Sequence, residues 1–184
     1  MRKVVFAINI TADGYCGHED GIADDQLLRY FSALLRQSDT ILFGRKTYEL
    51  MVPFWPDIAK SQSEDEARNE FARVFDSLQL VLFSRSWKSA AEKTRIIEGN
   101  LENEVKALKK LPGMNISVGS LSLASQLSAL NLIDEYHFVV HPVVAGRGPR
   151  LFESQQPKEK LMLRRIGTQN FESGAIATHY RTLS

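Results

Sequence analysis

The sequence predicts one α/β domain of three layers, with helices on both faces of a mostly parallel sheet and antiparallel strands at its C-terminal end. Three observations carry that expectation. Up to Leu130, short and almost continuous apolar runs alternate with segments of helical periodicity, the pattern of strands buried on both faces. Beyond it, strand patterns follow one another without long helices between them, which adds an antiparallel edge. A chain of 184 residues, 43% hydrophobic and 24% charged, is of a size and composition that fills one core.

The run KVVFAINI (Lys3–Ile10) reads as the first buried strand, and the glycines of TADGYCGHEDG (Thr11–Gly21) mark a loop behind it. DDQLLRYFSALLRQ (Asp24–Gln37) spaces Leu27, Leu28, Phe31, Leu34 and Leu35 at helical intervals, with Asp24 or Asp25 near its N-terminus. TILFG (Thr40–Gly44) is a short strand ending at glycine, and RKTYELM begins a helix directly after it. Pro53, Pro56 and a polar cluster make Val52–Asp65 the expected long loop. EDEARNEFARVFDS (Glu64–Ser77) is amphipathic through Ala67, Phe71, Val74 and Phe75, and LQLVLFS (Leu78–Ser84) is again a buried strand. LENEVKALKKL (Leu101–Leu111) is a helix stopped by Pro112-Gly113. NISVGS (Asn115–Ser120) is the next strand and LSLASQLSAL (Leu121–Leu130) the helix it feeds. DEYHFVVHPVV (Asp134–Val144), KLMLRRIGTQNF (Lys160–Phe171) and GAIATHYRT (Gly174–Thr182) are the C-terminal strands.

Bulk chemistry narrows the function. Against 23 Lys and Arg stand 22 Asp and Glu, a formal net charge of +1 without the basic excess of a nucleic-acid binder. Cys16 is the only cysteine, which rules out an intramolecular disulfide and a cysteine-based zinc site and suits a reducing, cytoplasmic setting. MRKVVFAINI lacks the length and cleavage site of a signal peptide. No apolar run approaches the roughly 20 residues of a membrane helix.

Two strands end at glycine and pass straight into a helix, TILFG-RKTYE and NISVG-SLSLA. Glycine lets the backbone approach a ligand, and the first N–H groups of the helix point at an anion. In open α/β sheets, ligands gather at the carboxyl ends of the strands. Arg45 and Lys46 place positive charge in a first helical turn, which opposes the helix dipole unless an anion is bound nearby. A third strand end, Ser84-Arg85-Ser86, offers hydroxyls and a guanidinium suited to phosphate. A single strand–glycine–helix junction is more often a plain tight turn, and it is the pair, one followed by adjacent basic residues, that brings phosphate binding level with that reading; the Ser84-Arg85 end taken alone is equally a solvated strand end.

GRKTYE, after its short apolar strand, resembles the GRxTxE motif of dihydrofolate reductases. LIDEYHFVVHPVVAGRGPRLF (Leu132–Phe152) resembles a late segment of the reductase domain of bacterial riboflavin biosynthesis through Leu132, Asp134, Glu135, Pro142, Gly146, Gly148, Leu151 and Phe152. TADG (Thr11–Gly14) and VGSLSLA are similar to the S-L-D-G loop and the second glycine turn of that branch. The resemblance runs in order along essentially the whole chain. It implies a dihydrofolate reductase-like fold and an oxidoreductase using NADPH, or NADH. Gly44, Arg45, Lys46 and Thr47 would then meet the cofactor phosphates, and Ser84 and Arg85 the adenosine end. Gly119, Ser120, Leu121 and Ser122 would line the pyrophosphate or nicotinamide ribose, and Ala7 would face the nicotinamide carboxamide. Asp13 matches the acidic residue on the substrate side and is the candidate catalytic group; a bound water or the substrate itself are the other proton sources. The branch also implies a homodimer.

Two departures matter. The second turn has Gly119 then Ser120 where that branch commonly has two glycines. Counting back from Gly44, the folate-binding carboxylate of dihydrofolate reductases falls on Leu28, which cannot pair with a pterin or assist its protonation. Folate reduction is therefore not expected; a small heterocycle or carbonyl compound is. The alternative is a catalytically silent nucleotide-binding module that keeps the pocket. Phe54 and Trp55 are candidate pocket walls. GRGPRL (Gly146–Leu151) reads as a loop, since Pro149 and the missing third glycine oppose a dinucleotide fingerprint. His137 and His141 share a strand face, with no evident link to His18 or His179, and are expected to serve packing or surface rather than a metal.

Overall fold

The computed structural model describes residues 1–22, 24–87 and 93–183. Strand β1 (Val4–Thr11) leads to helix α1 (Asp25–Leu35), strand β2 (Ser38–Gly44) and helix α2 (Arg45–Met51). Helices α3 (Trp55–Ser61) and α4 (Glu66–Asp76) come next, then strands β3 (Gln79–Phe83) and β4 (Thr94–Ile97). Helix α5 (Leu101–Lys110), strand β5 (Asn115–Val118) and helix α6 (Leu121–Ala129) precede strands β6 (Glu135–His141), β7 (Leu163–Asn170) and β8 (Ile176–Thr182).

The strands form one eight-stranded sheet in the order β4-β3-β2-β5-β1-β6-β8-β7. Every pairing from β4 across to β6 is parallel, while β8 runs antiparallel to β6 and to β7. Alternation along each strand sends successive side chains to opposite faces, which makes the layers. Val4, Phe6, Leu42, Ile116 and Val118 face one side, under Val105 and Leu108 of α5 and Leu123 and Leu127 of α6. Ile41, Phe43, Leu80 and Leu82 face the other, against Leu35 of α1, Tyr48 of α2 and Phe71 and Phe75 of α4. This is the expected three-layer α/β/α sandwich with antiparallel C-terminal strands.

Local chemistry sets the helix starts. Asp24 accepts the Leu27 amide at 2.7 Å, Asp65 that of Arg68 at 3.0 Å and Asn100 that of Asn103 at 3.1 Å, capping α1, α4 and α5. At the amino end of the sheet, buried Arg2 pairs with Asp39 and Thr40, tying the start of β1 to β2.

The structure departs from the sequence expectation at three places. α3 occupies the middle of the segment expected as a loop, Val52–Asp65. Pro56 falls in its first turn, where a missing N–H costs nothing, so the proline starts the helix instead of breaking it. Strand β4 has no counterpart in the sequence reading; TRII is only four residues long and joins the sheet as its outermost strand beside β3. β6 stops at His141 rather than Val144, because Pro142 has no N–H to continue the ladder.

Candidate active site

β2 and β5 are parallel neighbours, so their carboxyl ends emerge at the same edge of the sheet. The two glycine turns there touch. A Cβ added at Gly44 would lie 2.9 Å from Ser120 Oγ and 3.2 Å from Ser122 Oγ, so only glycine lets the turns pack this closely. Gly119 is backed by the Phe43 ring, 2.5 Å from where its own Cβ would stand. Neither α2 nor α6 has a side-chain cap at its N-terminus, unlike α1, α4 and α5, although α3 also lacks one. The first-turn N–H groups of α2 and α6 are thus left for an anion.

The basic residues behave differently from one another. Arg45 donates from Nε to Glu49 Oε1 at 2.8 Å and lies 5.4 Å from the centre of the Trp87 ring. Lys46 is exposed and has no ion-pair partner among the described residues. At the end of β3, Ser84 Oγ accepts the amides of Ser86 at 3.4 Å and Trp87 at 3.1 Å, while Arg85 projects into solvent. Trp87 sits 6.1 Å from Tyr48 as well, so this third strand end closes against α2.

Beneath these turns a cavity of about 720 Å³ lies between the sheet and helices α1 to α4. Ala7 and Asn9 of β1, Ser117 of β5 and Gly119 just after it contribute from the sheet side, Leu28, Phe31, Thr47, Trp55 and Phe71 from the helices, and Phe54 from the turn before α3. Ala7, Thr47 and Gly119 are the site residues expected from sequence that line it; Gly44, Arg45, Lys46, Ser84, Arg85, Ser120, Leu121 and Ser122 lie outside its walls, at the strand ends. Leu28 is half-buried and forms part of the wall, as do Phe54 and Trp55. The walls are mainly apolar, and Asp24, Asp25, Asp65 and Arg68 are the charged groups among them.

Asp13 is elsewhere. Its carboxylate accepts the Thr11 hydroxyl at 2.6 Å and the amides of Ala145 at 3.1 Å and Gly146 at 2.8 Å, which pins the loop after β6. Those bonds, the Thr11 hydroxyl first among them, hold its pKa down at about 2. It is not among the residues that line the cavity. The lowered pKa favours its ionised form near neutral pH.

With the geometry in view, comparison with known proteins gives the family. The family model described as the RibD C-terminal domain matches residues 2–177. This chain belongs to the RibD C-terminal domain family. The uncharacterized protein YyaP of Bacillus subtilis (strain 168) is 30% identical over 184 residues, covering 98% of this chain and 95% of that one. Dihydrofolate reductase from Enterococcus faecalis, complexed with NADP(H) and RAB-propyl, superposes with a TM-score of 0.67 at 12% identity, over 99% of this chain and 97% of that one. The diaminohydroxyphosphoribosylaminopyrimidine deaminase/5-amino-6-(5-phosphoribosylamino)uracil reductase of Thermotoga maritima gives a TM-score of 0.69 at 14% identity, over 99% of this chain and 57% of that one. At such identities the likeness shows the shared fold.

Sequence reasoning missed one polar device of this RibD C-terminal domain. Asn9 lies on the row of β1 that faces the cavity, and His141, wholly buried, stands behind it. The Ile22 amide donates to His141 Nδ1 at 3.1 Å, so the neutral ring carries its proton on Nε2 and donates it to Asn9 Oδ1 at 3.0 Å. Burial lowers the His141 pKa, with Asp24 opposing the shift. The bond fixes which end of the Asn9 amide faces His141 and leaves its NH2 as the free donor. A histidine inside a strand pattern carries no mark of a partner on another element, so this pairing was not legible. The same holds for His137, which pairs across β6 and β8 with His179, a link that no local pattern in the sequence reveals.

Proposed function

We propose that this protein is an NADPH-dependent reductase, with NADH as the second cofactor candidate, acting on a small planar heterocycle or carbonyl compound other than dihydrofolate. The observation that carries the reading is the pair of touching, uncapped glycine turns at the edge of an apolar cavity. NADPH, when bound, supplies a hydride from its nicotinamide. Gly44, Arg45, Lys46 and Thr47 would hold its phosphates together with Gly119, Ser120, Leu121 and Ser122, with Ser84 and Arg85 toward the adenosine. Ala7 would offer backbone groups to the carboxamide. Leu28, Phe31, Phe54 and Trp55 exclude water and press a flat substrate into place, and Asn9 orients it by donating to an acceptor atom. We also assign the functional form as a homodimer.

The test is a titration with NADPH and with NADH followed by thermal unfolding. A ligand at 100 times its Kd adds roughly 2.7 kcal/mol of stability. No shift with either cofactor at millimolar concentration overturns the proposal. Lys46→Ala is expected to weaken NADPH binding by about 1.5–3 kcal/mol, the range for a hydrogen bond to a charged group. Arg45→Ala should cost less, since that guanidinium already serves Glu49. The second reading, a silent nucleotide-binding module, draws on Leu28, which offers no proton to the cavity, and on Ser120, which stands where a second glycine is usual. Cofactor binding without oxidation across pterins, flavins, pyrimidines and quinones would decide for it.

A further inference from the structure

We infer that Glu135, His137 and His179 form a site for one transition-metal ion of the Zn2+ class, separate from the cavity and toward the antiparallel edge of the sheet. Strand register assembles it. Glu135 and His137 are two residues apart on β6 and face the same side, and His179 on β8 is the direct cross-strand partner of His137. One donor atom from each lies within 4.8 Å of the other two. Metal bonds of about 2.0–2.2 Å hold tetrahedral ligands of one ion about 3.3–3.6 Å apart, so the three donors close by up to roughly 1.5 Å when the ion binds. Two imidazoles and a carboxylate are a donor set that suits Zn2+ and its neighbours in the first transition row.

The surroundings support a ligand set rather than simple packing. His137 is buried, and its Nδ1 is bonded to the Tyr30 hydroxyl at 2.7 Å, which reserves Nε2 for another partner. Ligating histidines are held by their second nitrogen in this way. His179 Nε2 already stands 3.2 Å from Glu135 Oε2. The rings of His137 and His179 stack at 4.1 Å with planes 13° apart. Parallel rings cannot aim their in-plane lone pairs at one point, so binding turns His179, the more exposed of the two, out of the stack. Room exists for that movement. Gly167 is the partner of His179 across β7 and β8, and a Cβ built on it meets nothing within 4 Å. The same opening admits the ion and leaves space for water as a fourth ligand.

Two cations compete for the carboxylate. Lys3 Nζ lies 2.9 Å and Arg181 Nη2 3.1 Å from Glu135 Oε1. Both side chains are about half exposed and free to swing into solvent when a divalent ion takes their place. None of the three proposed ligands lines the cavity, so the site stands or falls independently of the reductase reading.

The experiment strips the full-length protein of metal and titrates it with Co2+ by visible absorption and with Zn2+ by calorimetry. One ion per chain is expected, with ligand-field bands that Zn2+ displaces. His179→Ala, a change at the open edge, should abolish binding. Tyr30→Phe should weaken it by about 10–100-fold through loss of the bond that orients His137. Lys3→Gln and Arg181→Gln should tighten it by removing competitors, and these surface changes carry the test if either of the other variants melts as a misfolded protein. No Co2+ band and no Zn2+ heat in the wild type overturns the inference. So does an affinity unchanged in His179→Ala, which would move the ion to other side chains.

Discussion

Asp13 and His141 are both polar residues close to the end of β1, and their hydrogen bonds assign them to different work. Asp13 binds a hydroxyl and two amides, so its folded-state pKa of about 2 lies below the ordinary 3.8. A depressed carboxylate adds stability that is fully present above the unfolded value and is lost as pH falls through the folded one. Asp13→Asn keeps the shape and removes the charge. Urea melts should therefore show wild type more stable than Asp13→Asn at neutral pH, with the gap closing between about pH 4 and pH 2. A gap that does not change with pH would put the role of Asp13 outside these bonds. In His141 it is the neutral form that the fold favours. Its lowered pKa means that the unfolded ring takes a proton below its usual 6.5 while the folded ring resists, so stability falls as the solution is acidified below that value. His141→Leu leaves the Ile22 amide and Asn9 without their partner, at a cost of about 1–3 kcal/mol near neutral pH. The variant should also lose that part of the acid dependence, which denaturant melts across pH would reveal.

Among the elements, the strand-to-helix turns were the most legible. TILFG-RKTYE and NISVG-SLSLA each combine an apolar run, a glycine and a helical period, and all three signals are local. What stayed hidden depends on distant neighbours. α3 was masked because Pro53 and Pro56 look like breakers until Pro56 is seen in a first turn. β4 was masked because four residues show no period, and pairing with β3 makes them a strand. The cavity was half visible: Phe54 and Trp55 were expected as walls, whereas Asn9, Asp65 and Arg68 meet only once α4 packs beside α1. The contact between the two turns was likewise beyond the sequence, and it makes a test. Gly44→Ala is allowed by its backbone, φ −87°, so its penalty comes from crowding Ser120 and Ser122. Overpacking of this kind costs about 1–3 kcal/mol. Ser120→Ala combined with Ser122→Ala removes the crowding oxygens and should recover much of that loss. A double-mutant cycle on stability and on NADPH affinity measures the coupling; strictly additive effects would mean that the turns do not support each other.

Across the whole molecule, the two edges of the sheet are treated unequally. Ile97 and Ile96 of β4 pack into the core on opposite faces, and α1 reaches β8, where Leu27 meets Ala177, whereas the outermost strand β7 is mostly exposed. Met162, Ile166, Ile176 and Leu183 are all exposed and all belong to this hairpin or adjoin it. Unpaired backbone on β7 is an open invitation to another strand, but Arg164 and Arg165 would meet their own copies in many edge-to-edge arrangements. Charge repulsion there favours a dimer made by packing apolar side chains over one made by extending the ladder. A stable interface buries about 800 Å² on each partner. Light scattering should therefore find a dimer whose dissociation depends on concentration. Ile166→Lys and Ile176→Lys should shift it to monomer without lowering the melting temperature of the monomer fold. If wild type scatters as a monomer at every concentration, the homodimer proposal fails, and the exposed hairpin is left as surface that another partner has to explain.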